Sequence, residues 1–194
     1  MSHFYNFKKN FKFALDNINI NQYKKTISLL KSLKKNKGRL FFIGLGGSAG
    51  NVSHAVNDFR KLCNINAIAI TDNVSEFTAR VNDEGWENVF MDWLKWNDAN
   101  KKDLIFVMSV GGGNLKKKVS HNISKAIIYS KKNKIKIIGI VGKKNGDTYK
   151  YADNLHLVKL DDEKLITPIT ESMQPLIWHM IVSDPNIQEN KTKW

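Results

Sequence analysis

Four side chains able to bind a metal or move a proton stand in two stretches of this chain. His54 and Asp58 lie four residues apart in a segment of helical pattern, so they are neighbours on one face, away from the apolar stripe of Val52, Val56 and Phe59. Asn51 shares that face, and no lysine follows it until Lys61, which points to a cleft wall or a subunit contact. Glu171 and His179, with Gln174, lie in the otherwise apolar closing segment Thr167–His179. Two imidazoles and two carboxylates could hold one divalent metal or share acid–base duty. A solvated helix face and a satisfied core histidine are the plainer readings of the same residues. In a regular helix Glu171 and His179 would be roughly 12 Å apart along the axis. Pro175 between them is expected to kink the helix or delay its start.

The segments that must position these groups begin at Arg39–Asp58, RLFFIGLGGSAGNVSHAVND. The apolar run Leu40–Ile43 enters a turn with Gly44, Gly46 and Gly47, passes Ser48, and continues as the helix of His54 and Asp58. Such a turn lets backbone N–H groups and a helix N-terminus meet an anion. Ser48 is placed as an N-cap or as a hydroxyl donor to that anion. Gly44-Leu45-Gly46-Gly47-Ser48-Ala49, with Asp72 ending the next apolar run, also mimics a dinucleotide fingerprint. A second loop decides against that reading. The run Leu104–Met108 leads into Ser109-Val110-Gly111-Gly112-Gly113-Asn114 and another helical stretch. Paired loops around a switch point favour a small phosphorylated ligand, and no nucleotide cofactor is expected.

The chain of 194 residues reads as one domain: N-terminal helices over 1–37, an α/β core over 38–184 and a tail over 185–194. Its formal charge of +13 comes from lysines scattered among asparagines, without a zinc-finger, recognition-helix or RNA-binding-sheet signature. A solvated surface with a lysine and asparagine bias is the plainer reading, a basic field that attracts an anionic substrate the other, and nucleic acid is not expected as a partner. No apolar stretch reaches the roughly 20 residues that span a bilayer, and MSHFYNFKKNFKF has no signal-peptide core. A cytoplasmic location is expected. Cys63, the single cysteine, excludes an intrachain disulfide and reads as a small helix-end residue.

Apolar spacing predicts helices over 3–17, 22–36, 48–62, 74–82, 86–96, 118–132 and 168–183. Strands are predicted at 40–43, 67–70, 104–108, 135–141 and 154–158. The strand runs lack period-two alternation and are interleaved with helices, the pattern of a parallel sheet covered on both faces. The fold expected is a three-layer α/β/α sandwich with a five-stranded parallel sheet.

GLGGSAGN, the His54/Asp58 pair, VNDEGW, the loop at 109–114 and the Glu171–His179 spacing together resemble the sugar isomerase (SIS) domain, in its phosphoheptose isomerase branch. The resemblance covers most of the chain. It implies a flavodoxin-like fold whose N-terminal helices pack in a homotetramer, with sites at subunit interfaces and often zinc. The implied reaction interconverts sedoheptulose 7-phosphate and a heptose 7-phosphate aldose; a non-catalytic SIS module that binds a phosphosugar or a protein is the alternative. Carried onto this sequence, the metal set is His54, Asp58, Glu171 and His179, of which Asp58 and His179 are also the acid–base pair. Gly46, Gly47, Ser48, Asn82, Asp83, Ser109, Gly111, Gly112, Gly113 and Asn114 would contact the substrate. Asp58 stands where the family has glutamate, and Glu171 where it has glutamine. The family's Ser/Thr-rich phosphate loop keeps only Ser109 here, with Lys116–Lys118 close by.

Overall fold

The computed structural model describes residues 2–192. Every residue of Leu40–Gly44 (β1) and Leu104–Ser109 (β3) is buried, as expected of strands in the middle of a covered sheet. With Ala67–Ala69 (β2), Lys136–Val141 (β4) and Asn154–Leu157 (β5) they form a parallel sheet in the order β2-β1-β3-β4-β5. The helices are His3–Asp16 (α1), Ile20–Lys35 (α2), Gly47–Cys63 (α3), Val74–Glu84 (α4), Val89–Trp96 (α5), His121–Lys132 (α6), Asp147–Tyr151 (α7) and Ile166–Val182 (α8).

Alternate strand residues feed two cores. Leu40, Phe42, Leu104, Phe106, Met108, Ile138 and Ile140 face a cluster completed by α2, α3 and α8. Phe41, Ile43, Ile105, Val107 and Ile137 face a second cluster built with α5 and α6. This is the three-layer sandwich expected from the sequence. The chain leaves β1 into α3 on one face and β3 into α6 on the other, so a switch point lies between those neighbouring strands. The pairing runs from Leu40↔Leu104 to Gly44↔Met108, and the two glycine loops therefore emerge side by side.

Four local features differ from the sequence reading. Residues 114–119 fold back on themselves, Asn114 N–H donating to the Val119 carbonyl at 2.8 Å and Val119 N–H to the Asn114 carbonyl at 3.2 Å, so α6 starts at His121 rather than 118. The short α7 carries too few residues for a periodic signal. β2 stops at Ala69, and Ile70–Asp72 forms a 3-10 turn. Finally, α8 begins at Ile166 with Pro168 in its first turn, where the missing N–H is harmless, and runs on through Pro175.

The helices of 1–37 share the chain's own core, since Ala14, Ile27, Leu30 and Leu33 belong to the α3/α8 cluster. The tail is tied down as well: Ile187 is buried, and Glu189 and Asn190 N–H both donate to the Leu62 carbonyl. Cys63 ends α3 as a buried free thiol, and burial pushes its pKa up to about 11.

Candidate active site

The helices α3 and α8 lie against each other and run the same way. Glu171 meets Gly47, Gln174 meets Asn51, and His179 meets Asp58. At the last of these levels the two stretches singled out in the sequence converge. Asp58 Oδ2 lies 3.7 Å from His54 Nε2 and 3.8 Å from His179 Nε2. The imidazole centroids are 5.3 Å apart, and the donor atoms of the three side chains fall within 4.8 Å of one another. They line a cleft of about 510 Å³ with Asn57, Met180 and Gln188. Asn57 Nδ2 donates to Asp58 Oδ1 at 2.9 Å, leaving Oδ2 toward the imidazoles.

Glu171 is not with them. A methyl group at position 47 would lie 2.6 Å from Glu171 Oε2, so this carboxylate sits against the glycine turn at the start of α3. The separation follows from the rise of α8, which Pro175 does not shorten. Sequence reasoning missed Trp178. Its buried indole lies 3.6 Å from the His179 ring and 4.8 Å from that of His54, centroid to centroid, and walls the imidazoles on the core side. Its position next to His179 in the sequence was the available signal.

Ser48 is buried in the first turn of α3 and accepts a hydrogen bond from Gln174 Nε2 at 2.9 Å. Gly46 and Gly47 are exposed at the same turn. Asp72 accepts from the Ser53 hydroxyl of α3, which leaves it engaged within the chain.

The second loop is held by its carbonyls. Gly142 and Lys143 N–H donate to Val110, Thr148 N–H and Oγ1 to Gly112, and Asp147 N–H to Gly113. Ser109 Oγ accepts from Gly112 N–H at 3.0 Å, and Asn114 Nδ2 donates to the Asn145 carbonyl at 2.8 Å. Gly146 presses on this loop so closely that a methyl group there would lie 2.1 Å from the Gly111 carbonyl oxygen. Beneath the loop, at the N-terminus of α6, two fully buried side chains hold polar atoms without a partner among the described residues: Asn122 Nδ2 and Ser124 Oγ. Ser124 Oγ would be 2.7 Å from a methyl group on Gly113, so it faces the loop. A buried polar group left unpaired costs about 1–3 kcal/mol, and here it stands at a helix N-terminus suited to an anion. The exposed Lys116–Lys118 lie in the fold-back that leads into this end. Ser120, Asn122 and Ser124 were not singled out from the sequence, because α6 was started too early.

Two separations matter for function. Along α3, Asp58 lies roughly 15 Å beyond Ser48 at the rise of a regular helix, so one chain's glycine loops and its His/Asp/His trio are not adjacent. Asn82 and Asp83 are exposed on the last turn of α4, joined to each other by an Asn82 Nδ2 to Asp83 Oδ1 bond of 2.8 Å.

No family model matches the chain. Among curated proteins, the phosphoheptose isomerase of Helicobacter hepaticus is 30% identical over 158 residues, covering 79% of this chain and 74% of that protein. The phosphoheptose isomerase of a Nitratiruptor species is 29% identical over 181 residues, 91% and 90% of the two chains. Among solved structures, the phosphoheptose isomerase of Neisseria gonorrhoeae superposes with a TM-score of 0.77 at 21% identity, covering 93% of this chain and 92% of that one, which establishes a shared fold. Set beside the convergence of His54, Asp58 and His179, kinship at this identity and coverage means that the chain belongs to the phosphoheptose isomerase family.

Proposed function

We propose that the protein is an aldose–ketose isomerase of a phosphorylated sugar, with sedoheptulose 7-phosphate and its heptose 7-phosphate aldose as the substrate pair. The observation that carries this reading is Asp58 Oδ2 between two imidazole nitrogens, 3.7 and 3.8 Å away. Such an isomerase needs a base for the proton on the carbon beside the carbonyl, and a second group that moves a proton between the two oxygens. Asp58 takes the carbon-bound proton, leaving an enediolate, and returns it to the neighbouring carbon. His179 carries the proton between the oxygens whenever its Nε2 is not engaged by a metal.

The same donors suit a divalent metal such as zinc. Ligands about 2.0–2.1 Å from a tetrahedral zinc lie about 3.3 Å from one another, a little less than the 3.7 and 3.8 Å from Asp58 Oδ2 to the two imidazole nitrogens. His54, Asp58 and His179 would hold it, leaving the fourth position that catalytic sites keep open. When bound, the ion supplies charge stabilisation to a substrate oxygen. Glu171 would join only the trio of another copy.

The phosphate is assigned to the glycine loops: Gly46, Gly47 and Ser48 on one side, Ser109, Gly111, Gly112, Gly113 and Asn114 on the other, with Ser120, Asn122 and Ser124 beneath. Since these loops lie away from the trio of their own chain, one copy's loops are assigned to another copy's trio, and a homotetramer, as the resemblance implies, is the working form. Asn82 and Asp83 then serve a neighbouring copy's site from the exposed end of α4. Among the described residues no helix is long and apolar enough to cross a membrane; action in the cytoplasm goes with a phosphorylated substrate.

Gly146→Ala tests the support of the second loop. The clash with Gly111 is backbone against side chain and is expected to cost about 1–3 kcal/mol of stability, read as a lower melting temperature. KM for the sugar phosphate should rise by about tenfold, equivalent to about 1.4 kcal/mol, with kcat nearly unchanged.

The function itself is tested by incubating the zinc-loaded protein with ketose phosphates in deuterated water and following exchange by NMR. Deuterium beside the carbonyl, with aldose formation, is the expected result. Saturable binding of every sugar phosphate without exchange would instead make the protein a non-catalytic binding module.

A further inference from the structure

Pro175 has no N–H, so the Glu171 carbonyl, four residues earlier in α8, loses its intrahelical donor. The structure fills that gap from the neighbouring helix. Asn51 Nδ2 of α3 donates to the Glu171 carbonyl at 2.8 Å and to Gln174 Oε1 at 2.8 Å. Gln174 Nε2 then donates to Ser48 Oγ at 2.9 Å. Gln174 is fully buried and Ser48 nearly so, so water does not compete for the bond between them, while Asn51 is half-buried.

The direction of every bond in this chain is fixed from one end. A backbone carbonyl only accepts, so the Asn51 amide must turn its NH₂ toward Glu171. The same NH₂ meets Gln174, whose oxygen must therefore face Asn51 and whose NH₂ must face Ser48. A serine hydroxyl has one hydrogen and two lone pairs. Ser48 spends a lone pair on Gln174, and its hydrogen has no partner among the described residues. That hydrogen is left for a ligand at the glycine turn.

We propose that Asn51 and Gln174 are positioning residues that exploit the Pro175 gap to do two things at once. They set the Ser48 hydroxyl as a donor toward the substrate, and they lock α3 to α8 in the register that brings Asp58 to His179. Asn51, His54 and Asp58 recur on one face of α3, so the lock and the trio share a single packed seam. The proposal rests on the reading of Ser48 as a substrate donor and of the trio as a metal and acid–base site.

The test is a cycle of Asn51→Ala, Pro175→Ala and the double variant. Asn51→Ala should weaken Zn²⁺ binding by calorimetry by about tenfold, the lower end for residues supporting metal ligands. It should also raise KM for the sugar phosphate, and lower the melting temperature by about 2–4 °C. Pro175→Ala restores an N–H for the Glu171 carbonyl, so most of that melting loss should vanish in the double variant. The KM and Zn²⁺ effects should persist there, because the Ser48–Gln174–Asn51 relay is still broken. Unchanged KM and Zn²⁺ affinity in Asn51→Ala, or a melting loss that Pro175→Ala leaves intact, overturns the proposal. Should the unsubstituted protein isomerise nothing, the functional reading falls, while Zn²⁺ affinity and the melting cycle still judge the lock. Gln174→Met, close in shape, is the second variant if Asn51→Ala does not fold, with the same KM increase expected.

Discussion

Asp58→Asn should lower kcat by about 10³–10⁴-fold, the upper part of the range for a positioned acid–base group, while the protein keeps its melting temperature within a few degrees. The substitution keeps shape and leaves an oxygen to accept from Asn57 Nδ2, so folding has little to lose. What disappears is the carboxylate between the two imidazoles. His179→Ala should have a comparable effect, and the double variant should lose little more, because groups that act as a unit are not additive. Rates are read as aldose formation from the ketose phosphate at saturating substrate. Turnover close to that of the unsubstituted protein in both single variants would remove the trio from the chemistry. The outcome also answers a question of reach: aspartate is one methylene shorter than the glutamate the resemblance implies, and here Oδ2 lies 3.7 and 3.8 Å from the imidazole nitrogens of His54 and His179.

The second large effect concerns acid stability. His156 is buried on β5, with Nε2 2.8 Å from Thr26 Oγ1 of α2. Thr26 Oγ1 itself receives Asn154 Nδ2 at 2.7 Å, which leaves its hydrogen available to an unprotonated His156 nitrogen. Burial pushes the His156 pKa down to about 4. In the unfolded chain histidine titrates near 6.5, so between those values the unfolded state binds a proton that the native state does not. The stability from neutral His156 is therefore complete above about pH 6.5 and is lost as pH falls toward 4, by about 3 kcal/mol in all. Denaturant midpoints taken across this window should fall in the native sequence and change much less in His156→Asn. Asp153 and Asp184 do not blur the comparison. Burial raises both carboxyls, but Lys136 and the Ile137 amide outweigh it at Asp153, and Tyr23 and Asn186 at Asp184, so both titrate below the ordinary carboxylate range. Parallel acid curves for the native and variant proteins would show that His156 is not held neutral by the fold.

The layered architecture was legible because continuous apolar runs such as Leu104–Met108 alternate with amphipathic stretches, and both glycine loops fell at the ends of central strands. The pairing of His54 with Asp58 was legible too, since helical spacing fixes a shared face. Periodicity says nothing about which faces meet, however. That His179 joins this pair while Glu171 does not depends on the level at which α8 lies against α3, and that level is set by side chains such as Asn51 and Gln174. The fold-back at 114–119 was hidden for a different reason: lysines suit an exposed helix end as well as a tight turn, and only Lys118 and Ser120, with φ of +53° and +43°, mark the break. Ser124 and Asn122 then read as ordinary helix residues, although burial makes them the most ligand-seeking polar groups near the second loop.

The distance along α3 between Ser48 and Asp58 has a consequence for inheritance. At the rise per bond of an extended chain, a heptose 7-phosphate spans about 10 Å from its first carbon to phosphorus, short of that separation, so on the assignment proposed above each substrate is held by two copies. A chain lacking Asp58 and a chain lacking a working glycine loop can then rebuild sound sites between them, although neither has one alone. Equally, a defective chain spoils sites it shares with intact neighbours, so a mutant allele would act dominantly in proportion to its share of the assembled protein.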